Sequence, residues 1–172
     1  MVEKVSGIFK PSEPNAVDLL KADHRKVEEL FAKVRENENG DNSSTFKTIK
    51  EELDVHAHIE EVIFYPYLLE NGDKELERIT REGIEEHRQV KAFLAELDGM
   101  PGTSETFKAR LKVLMEDVEH HVKEEEDEMF PLVEDQVEAP TLEAIGRQME
   151  AEKSNFKRRQ GTDSGSSASA SA

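Results

Sequence analysis

Apolar residues recur along this chain at helical spacing in four long segments, separated by short runs rich in Gly, Asn, Asp or Pro. In the first, Val17, Leu20, His24, Val27, Phe31 and Val34 share a face, with Asn15 placed as N-cap and Asp18 as first-turn acid. The second starts from a Ser44 cap and points Ile49, Leu53, His56, Glu60, Ile63, Phe64 and Tyr67 inward, with Pro66 set to kink its last turns. After Asn71-Gly72-Asp73 the third shows Leu76, Ile84, His87, Val90 and Leu94, and it stops at Gly99-Met-Pro-Gly102. The fourth carries Phe107, Leu111, Leu114, Val118, His121, Glu125, Met129 and Leu132. Short loops between amphipathic helices make successive helices antiparallel neighbours. The pattern predicts an all-α, up-down-up-down four-helix bundle.

Around this bundle three further segments are expected. Residues 1–13, with Pro11 and no period, form an arm on a domain spanning 14–158. A shorter amphipathic helix with Leu142, Ile145, Met149 and Phe156 packs across the bundle. Residues 159–172, mostly Gly, Ser and Ala, have nothing to bury and form a disordered tail.

Four of the inward stripes contain histidine, and two contain glutamate. Residues on antiparallel neighbours share a depth when the turn lies midway between them. The midpoints of His24/His56, His56/His87 and His87/His121 fall at Gly40, between Asn71 and Gly72, and at Ser104, each in or beside a predicted turn. All four imidazoles are therefore expected in one layer. His56 and Glu60 are four apart, as are His121 and Glu125, so each pair projects from one helix face. Unpaired carboxylates in an apolar stripe cost several kcal/mol, on the order of the ~3–5 kcal/mol of a broken buried pair. No basic residue lies on those stripes to offset both, so cations between the acids are expected. Mixed imidazole and carboxylate donors suit iron, manganese or zinc.

The remaining histidines read differently. His58 falls roughly 200° from His56 on a helical wheel, beside Asp54 and Glu61, and is expected at the surface. His120, with Glu124 four residues on, is the candidate if the register slips by one residue; Leu114, Val118 and the offset to Pro131 favour His121. The acid runs Glu51-Glu52 and Glu124–Glu128 are expected to be solvated, Glu125 excepted.

The chain also repeats. Asp23-His-Arg-Lys-Val27 matches Glu86-His-Arg-Gln-Val90, and each precedes one His-x3-Glu helix that ends in an aromatic and a proline, Tyr65-Pro66 or Phe130-Pro131.

Composition narrows the function. A formal charge of −16 argues against nucleic acid, whose recognition needs a basic face. No cysteine means no thiolate metal site or redox thiol. No run approaches the ~20 apolar residues of a membrane span, and the first residues lack a signal-peptide core, so a cytoplasmic protein is expected.

With His24, His56-x3-Glu60, His87 and His121-x3-Glu125 in this order, the chain resembles the haemerythrin-like family, or HHE cation-binding domain, from about residue 15 to 135. The resemblance implies two Fe ions in an oxo- or hydroxo-bridged di-iron centre, with the four histidines as terminal ligands and Glu60 and Glu125 as bridges. It implies a small diatomic or peroxide ligand, or iron sensing or buffering. The sequence departs from the oxygen carriers of the family. Where they have His-x3-His on the third helix, Gly83 stands four before His87; their His-x4-Asp is replaced by His121-x3-Glu125. Four imidazoles shared by two metals leave positions open to redox turnover with peroxide or oxygen, unless His58, His120, Tyr65 or Tyr67 fills them. The alternatives are a di-iron oxidoreductase that decomposes peroxide, and a zinc-binding or metal-free interaction module.

Overall fold

A computed structural model of the protein describes residues 14–166. The described residues contain no strand and comprise α1 (Ala16–Glu36), α2 (Ser43–Ile59), a π turn (Glu60–Phe64), α3 (Tyr65–Asn71), α4 (Lys74–Leu97), α5 (Glu105–Glu124), a second π turn (Glu125–Met129), α6 (Phe130–Gln136) and α7 (Ala139–Ser166). Each π turn joins its flanking helices into one continuous rod, so the bundle has the expected four rods in up-down-up-down order, with α7 laid along α1 and α2.

Local chemistry sets the helix starts. Asn15 accepts from the Asp18 backbone N–H while the Asp18 carboxylate accepts from that of Asn15, a complete capping box. Asp73 caps α4 through Glu75 and Leu76, and Ser104 caps α5 through Phe107. The expected Ser44 cap does not form. The second rod begins two residues earlier than that cap would place it, at Ser43, whose N–H and hydroxyl both donate to Asp41 at 2.9 and 2.6 Å.

The π turns were not expected, and their cause is visible in the sequence. Pro66 and Pro131 have no N–H to give to the carbonyl four residues back, and their rings crowd it. The residue before each proline instead donates to a carbonyl five back, Tyr65 to Glu60 and Phe130 to Glu125. Widening the turn admits one extra residue, which advances the buried stripe by one position. Phe64 and Met129 are buried as expected, but Tyr65 and Leu68 are buried rather than Ile63 and Tyr67, and Phe130 and Val133 rather than Leu132. The misfit expected at Pro66 is taken up as a π turn just before it.

Helix α7 is longer than its apolar period suggests. No proline interrupts it after Pro140, and the helix continues through Ser166, past position 159 where composition alone ends it. Arg159 pairs with Glu152 at 2.7 Å across two turns. Gly146 lets this helix meet the start of α1, since a Cβ there would lie 2.9 Å from the backbone of Pro14, Asn15 and Ala16. The expected arm 1–13 and the end of the tail lie outside the described residues. None of the described helices is long and apolar enough to cross a membrane.

The core is divided in two. One cluster holds Leu20, Ile59, Phe64, Tyr65, Leu76, Phe130 and Met149; the other holds Phe31, Ile49, Leu53, Leu94, Phe107 and Leu114. Between them every rod contributes a polar layer.

Candidate metal centre

That polar layer consists of the six residues anticipated from the pattern. His24, His56, His87 and His121 are 2–5% exposed, Glu60 is fully buried and Glu125 is 1% exposed. The expected register at His121 therefore holds. His120 faces outward, its side chain 66% exposed.

The imidazoles form two pairs. The His24 and His56 rings lie 4.9 Å apart, and those of His87 and His121 lie 4.7 Å apart. Each carboxylate reaches into both pairs. Glu125 Oε2 is 3.1 Å from His24 Nε2 and 3.6 Å from His121 Nε2; Glu60 Oε2 is 3.3 Å from His56 Nε2 and 3.1 Å from His87 Nε2. His24, His56, Glu60 and Glu125 together make one constellation of metal-ligand size, and Glu60, His87 and His121 make a second that shares Glu60.

These short distances are not satisfied hydrogen bonds. The Nε2 atoms of His24 and His56, both oxygens of Glu60, and Oε2 of Glu125 have no hydrogen-bond partner despite full burial. The atoms converge without aiming at one another, as ligands around a common point do. The outer ring nitrogens explain why. His24 Nδ1 lies 2.7 Å from Glu126, His87 Nδ1 3.2 Å from Glu61, and His121 Nδ1 2.6 Å from Glu86, while His56 Nδ1 stands 3.6 Å from Asp23. A carboxylate at Nδ1 holds the proton there and turns the Nε2 lone pair inward, as for metal-bound histidine. The Nε2 atoms of His87 and His121 then face each other across 3.1 Å, two acceptors with a cation's place between them.

Protonation carries the same imprint. Burial, and then the charge of Glu125, push Glu60 well above the usual carboxylate range. Burial also opposes ionisation of Glu125, but His121 and His24 outweigh it and hold that carboxyl well below its ordinary value. Burial lowers His56 to about 4. It disfavours protonation of His24 and His121 too, yet their acids reverse the sign and raise both. The chain without metal thus keeps a proton in this pair of carboxyls, which cations would displace.

The outer acids Asp23, Glu61, Glu86 and Glu126, each against an imidazole Nδ1, are residues of the layer's surroundings that the periodicity did not single out. Glu126 in particular belongs to a run expected to be solvated, but its carboxylate turns in to His24 and is only 24% exposed. The sequence held a signal: each outer acid is the immediate neighbour of a central residue, in Asp23-His24, Glu60-Glu61, Glu86-His87 and Glu125-Glu126. Replacing Glu126 with Ala is expected to weaken metal binding about 10–100-fold while the metal content at saturation is unchanged. Equilibrium competition with a chromophoric chelator measures this, and an unaltered affinity would remove Glu126 from the site.

Of the side chains considered for an additional ligand, Tyr65 is the one that arrives. Its O–H donates to Glu125 Oε1 at 2.8 Å and lies 3.4 Å from His87 Nε2. Gly83 makes room for it, since a Cβ there would lie 3.1 Å from the phenol oxygen and 3.5 Å from His121 Cε1. Burial raises the phenol well above its ordinary range and keeps it a donor. Tyr67 is only partly buried, against the hydrophobic cluster. His58 is not a free surface histidine: it stacks on Phe156 at 4.4 Å and pairs with Glu152 at 2.7 Å, tying α2 to α7.

On the far side of the imidazoles lies a cavity of about 30 Å³, lined by all four histidines with Val27, Leu53, Val90, Leu94 and Val118 among the apolar side chains around it. A void of that volume admits a molecule as small as water, dioxygen or peroxide.

Comparison with known proteins agrees with this geometry. Residues 15–133 match the family model for the Hemerythrin HHE cation binding domain. A hemerythrin HHE cation binding domain-containing protein of Mycobacterium kansasii, known from its crystal structure, superposes with a TM-score of 0.71 at 27% identity, covering 84% of this chain and 88% of that one. An uncharacterised hemerythrin-like protein of Schizosaccharomyces pombe is 26% identical over 118 residues, which is 68% of this chain and 58% of that protein. A protein of Nostoc sp. named DNA nickase is 26% identical over 151 residues, 86% of this chain but 41% of that protein. The chain spans about half the length of these two curated relatives. Its six convergent donors and the match over residues 15–133 together establish that the chain belongs to the hemerythrin HHE cation binding domain family.

Proposed function

We propose that this is a cytosolic non-haem di-iron protein that binds dioxygen, nitric oxide or peroxide inside the bundle. The observation that carries the reading is the pairing of donors: two imidazole pairs, each spanned by both carboxylates, beside a small apolar cavity. His24 and His56 would hold one ion, His87 and His121 the other, with Glu60 and Glu125 bridging. Two imidazoles and two carboxylate oxygens per ion leave coordination positions free, and an iron pair bound there supplies reversible redox change and a place for the small ligand. The aliphatic side chains on the imidazole side favour small, uncharged molecules. Glu61, Glu86, Glu126 and Asp23 hold the rings in register, and the Tyr65 hydroxyl keeps a proton beside Glu125.

The second reading, a di-iron oxidoreductase that decomposes peroxide, draws on that same phenol. A hydrogen-bonded O–H next to the donor atoms can deliver a proton to a ligand that must be cleaved. The net charge of −16 weighs against extending a DNA-cleaving activity from the cyanobacterial relative to this chain.

One experiment separates the two. If the protein is a binder, the visible spectrum of the iron-loaded chain changes on adding oxygen or nitric oxide and returns when the gas is removed, and Tyr65→Phe alters the off-rate without abolishing the change. If it is an enzyme, added peroxide evolves oxygen over many turnovers, and Tyr65→Phe lowers that rate about 10²-fold or more. A spectrum indifferent to all three ligands would refute both.

A further inference from the structure

The four outer acids obey an internal two-fold relation, and one of them lacks the partner that the others have. Asp23 stands behind His56 as Glu86 stands behind His121, and Glu126 behind His24 as Glu61 behind His87. Three of the four are neutralised from outside: Lys153 of α7 pairs with Asp23, Arg25 with Glu126, and Lys91 with Glu61 at 2.5 Å. Among the described residues no lysine or arginine pairs with Glu86. Helix α7 lies along α1 and α2, and so brings Lys153 to one member of the Asp23/Glu86 pair and leaves the other on the α4–α5 side, away from α7.

In the place that Lys153 takes in the first half, the second half puts donors instead. Glu124 and His120, one turn apart on α5, face Glu86 across from α4, with His120 Nε2 3.2 Å from Glu124 Oε1. One ligand atom from each of the three lies within 4.8 Å of the others, a metal-ligand set of one imidazole and two carboxylates. The side chains of Glu86 and Glu124 are 26% and 34% exposed and that of His120 is 66% exposed, so the set opens to water. Glu86 keeps its other role, accepting from His121 Nδ1, and therefore touches both the outer set and the buried one.

We propose that Glu86, His120 and Glu124 form an additional, water-exposed site for a divalent transition-metal cation, distinct from the buried centre and joined to it through Glu86 and His121. The cation occupies the position that an ammonium group fills behind His56. Its few protein ligands and open coordination make it exchangeable, and its location makes it a staging point on the route to His87 and His121. The site does not depend on which metal the buried centre holds.

The test uses the full chain with its buried centre already loaded, titrated with Mn²⁺ and followed by the loss of the free Mn²⁺ electron paramagnetic resonance signal. Wild type is expected to take up one further Mn²⁺, with the His120 ring resonances broadened before those of His58. His120→Ala and Glu124→Gln are expected to lose that equivalent while keeping the metal content and optical spectrum of the buried centre. His120→Lys, which installs the missing ammonium, is expected to abolish the Mn²⁺ uptake as well and to leave the fold intact by circular dichroism. Equal Mn²⁺ uptake in wild type and all three variants, or none in wild type, would overturn the proposal without touching the di-iron reading.

Discussion

Removing the metal with a chelator is expected to lower the thermal midpoint of the chain by roughly 5–10 °C for each ion lost. A ligand held at a hundredfold excess over its dissociation constant stabilises the folded state by about 2.7 kcal/mol. In a domain of this size, each kcal/mol moves the midpoint by about 2–4 °C. The direction follows from the site. Glu60 and Glu125 are sealed between two hydrophobic clusters, and both oxygens of Glu60 and Oε2 of Glu125 have no donor, so the cation offsets a cost that the metal-free fold must otherwise carry. Differential scanning calorimetry before and after chelation, with re-addition of iron as the control, gives the shift. A midpoint unchanged by metal would mean that the layer is satisfied without it.

Glu60→Leu is expected to reverse sign with metal. In the chelated protein the substitution replaces a fully buried acid, neither of whose oxygens is hydrogen-bonded, by an apolar side chain between Ile59 and the neighbouring core. A buried polar group without a hydrogen bond costs about 1–3 kcal/mol, and the metal-free variant, relieved of that cost, is expected to unfold at higher denaturant than the metal-free parent. With metal the order inverts, because the variant loses an oxygen from both donor constellations. Paired urea titrations with and without iron read both differences. A variant less stable than its parent in both states would show that Glu60 has a structural partner in the metal-free fold.

Much of this was open to reading from the sequence because period and chemistry coincide. His24, His56, His87 and His121 sit in apolar stripes at depths set by the loop midpoints, and the same arithmetic puts Glu60 and Glu125 beside them. What periodicity could not show was any feature that depends on departing from the α-helix. The π turns before Pro66 and Pro131 shift the stripe by one residue, so Tyr65 rather than Tyr67 is delivered to the site and Val133 rather than Leu132 to the core. The outer acids escaped for a different reason. Glu61, Glu86 and Glu126 are partly exposed, so on a helical wheel they belong to the polar face; only the packing of the opposite helix brings an imidazole nitrogen to each. His58 was misplaced in the same way, since the partner that covers it lies on α7, 94 residues away in sequence.

The proposed function places two iron ions in the layer formed by His24, His56, Glu60, His87, His121 and Glu125. Its most direct test is the metal content per chain of protein purified from iron-replete cells, taken together with its visible absorption. The account predicts two irons per chain with near-ultraviolet and visible charge-transfer bands, both lost together in Glu125→Ala. A colourless protein without iron, or one that holds only zinc, would contradict it.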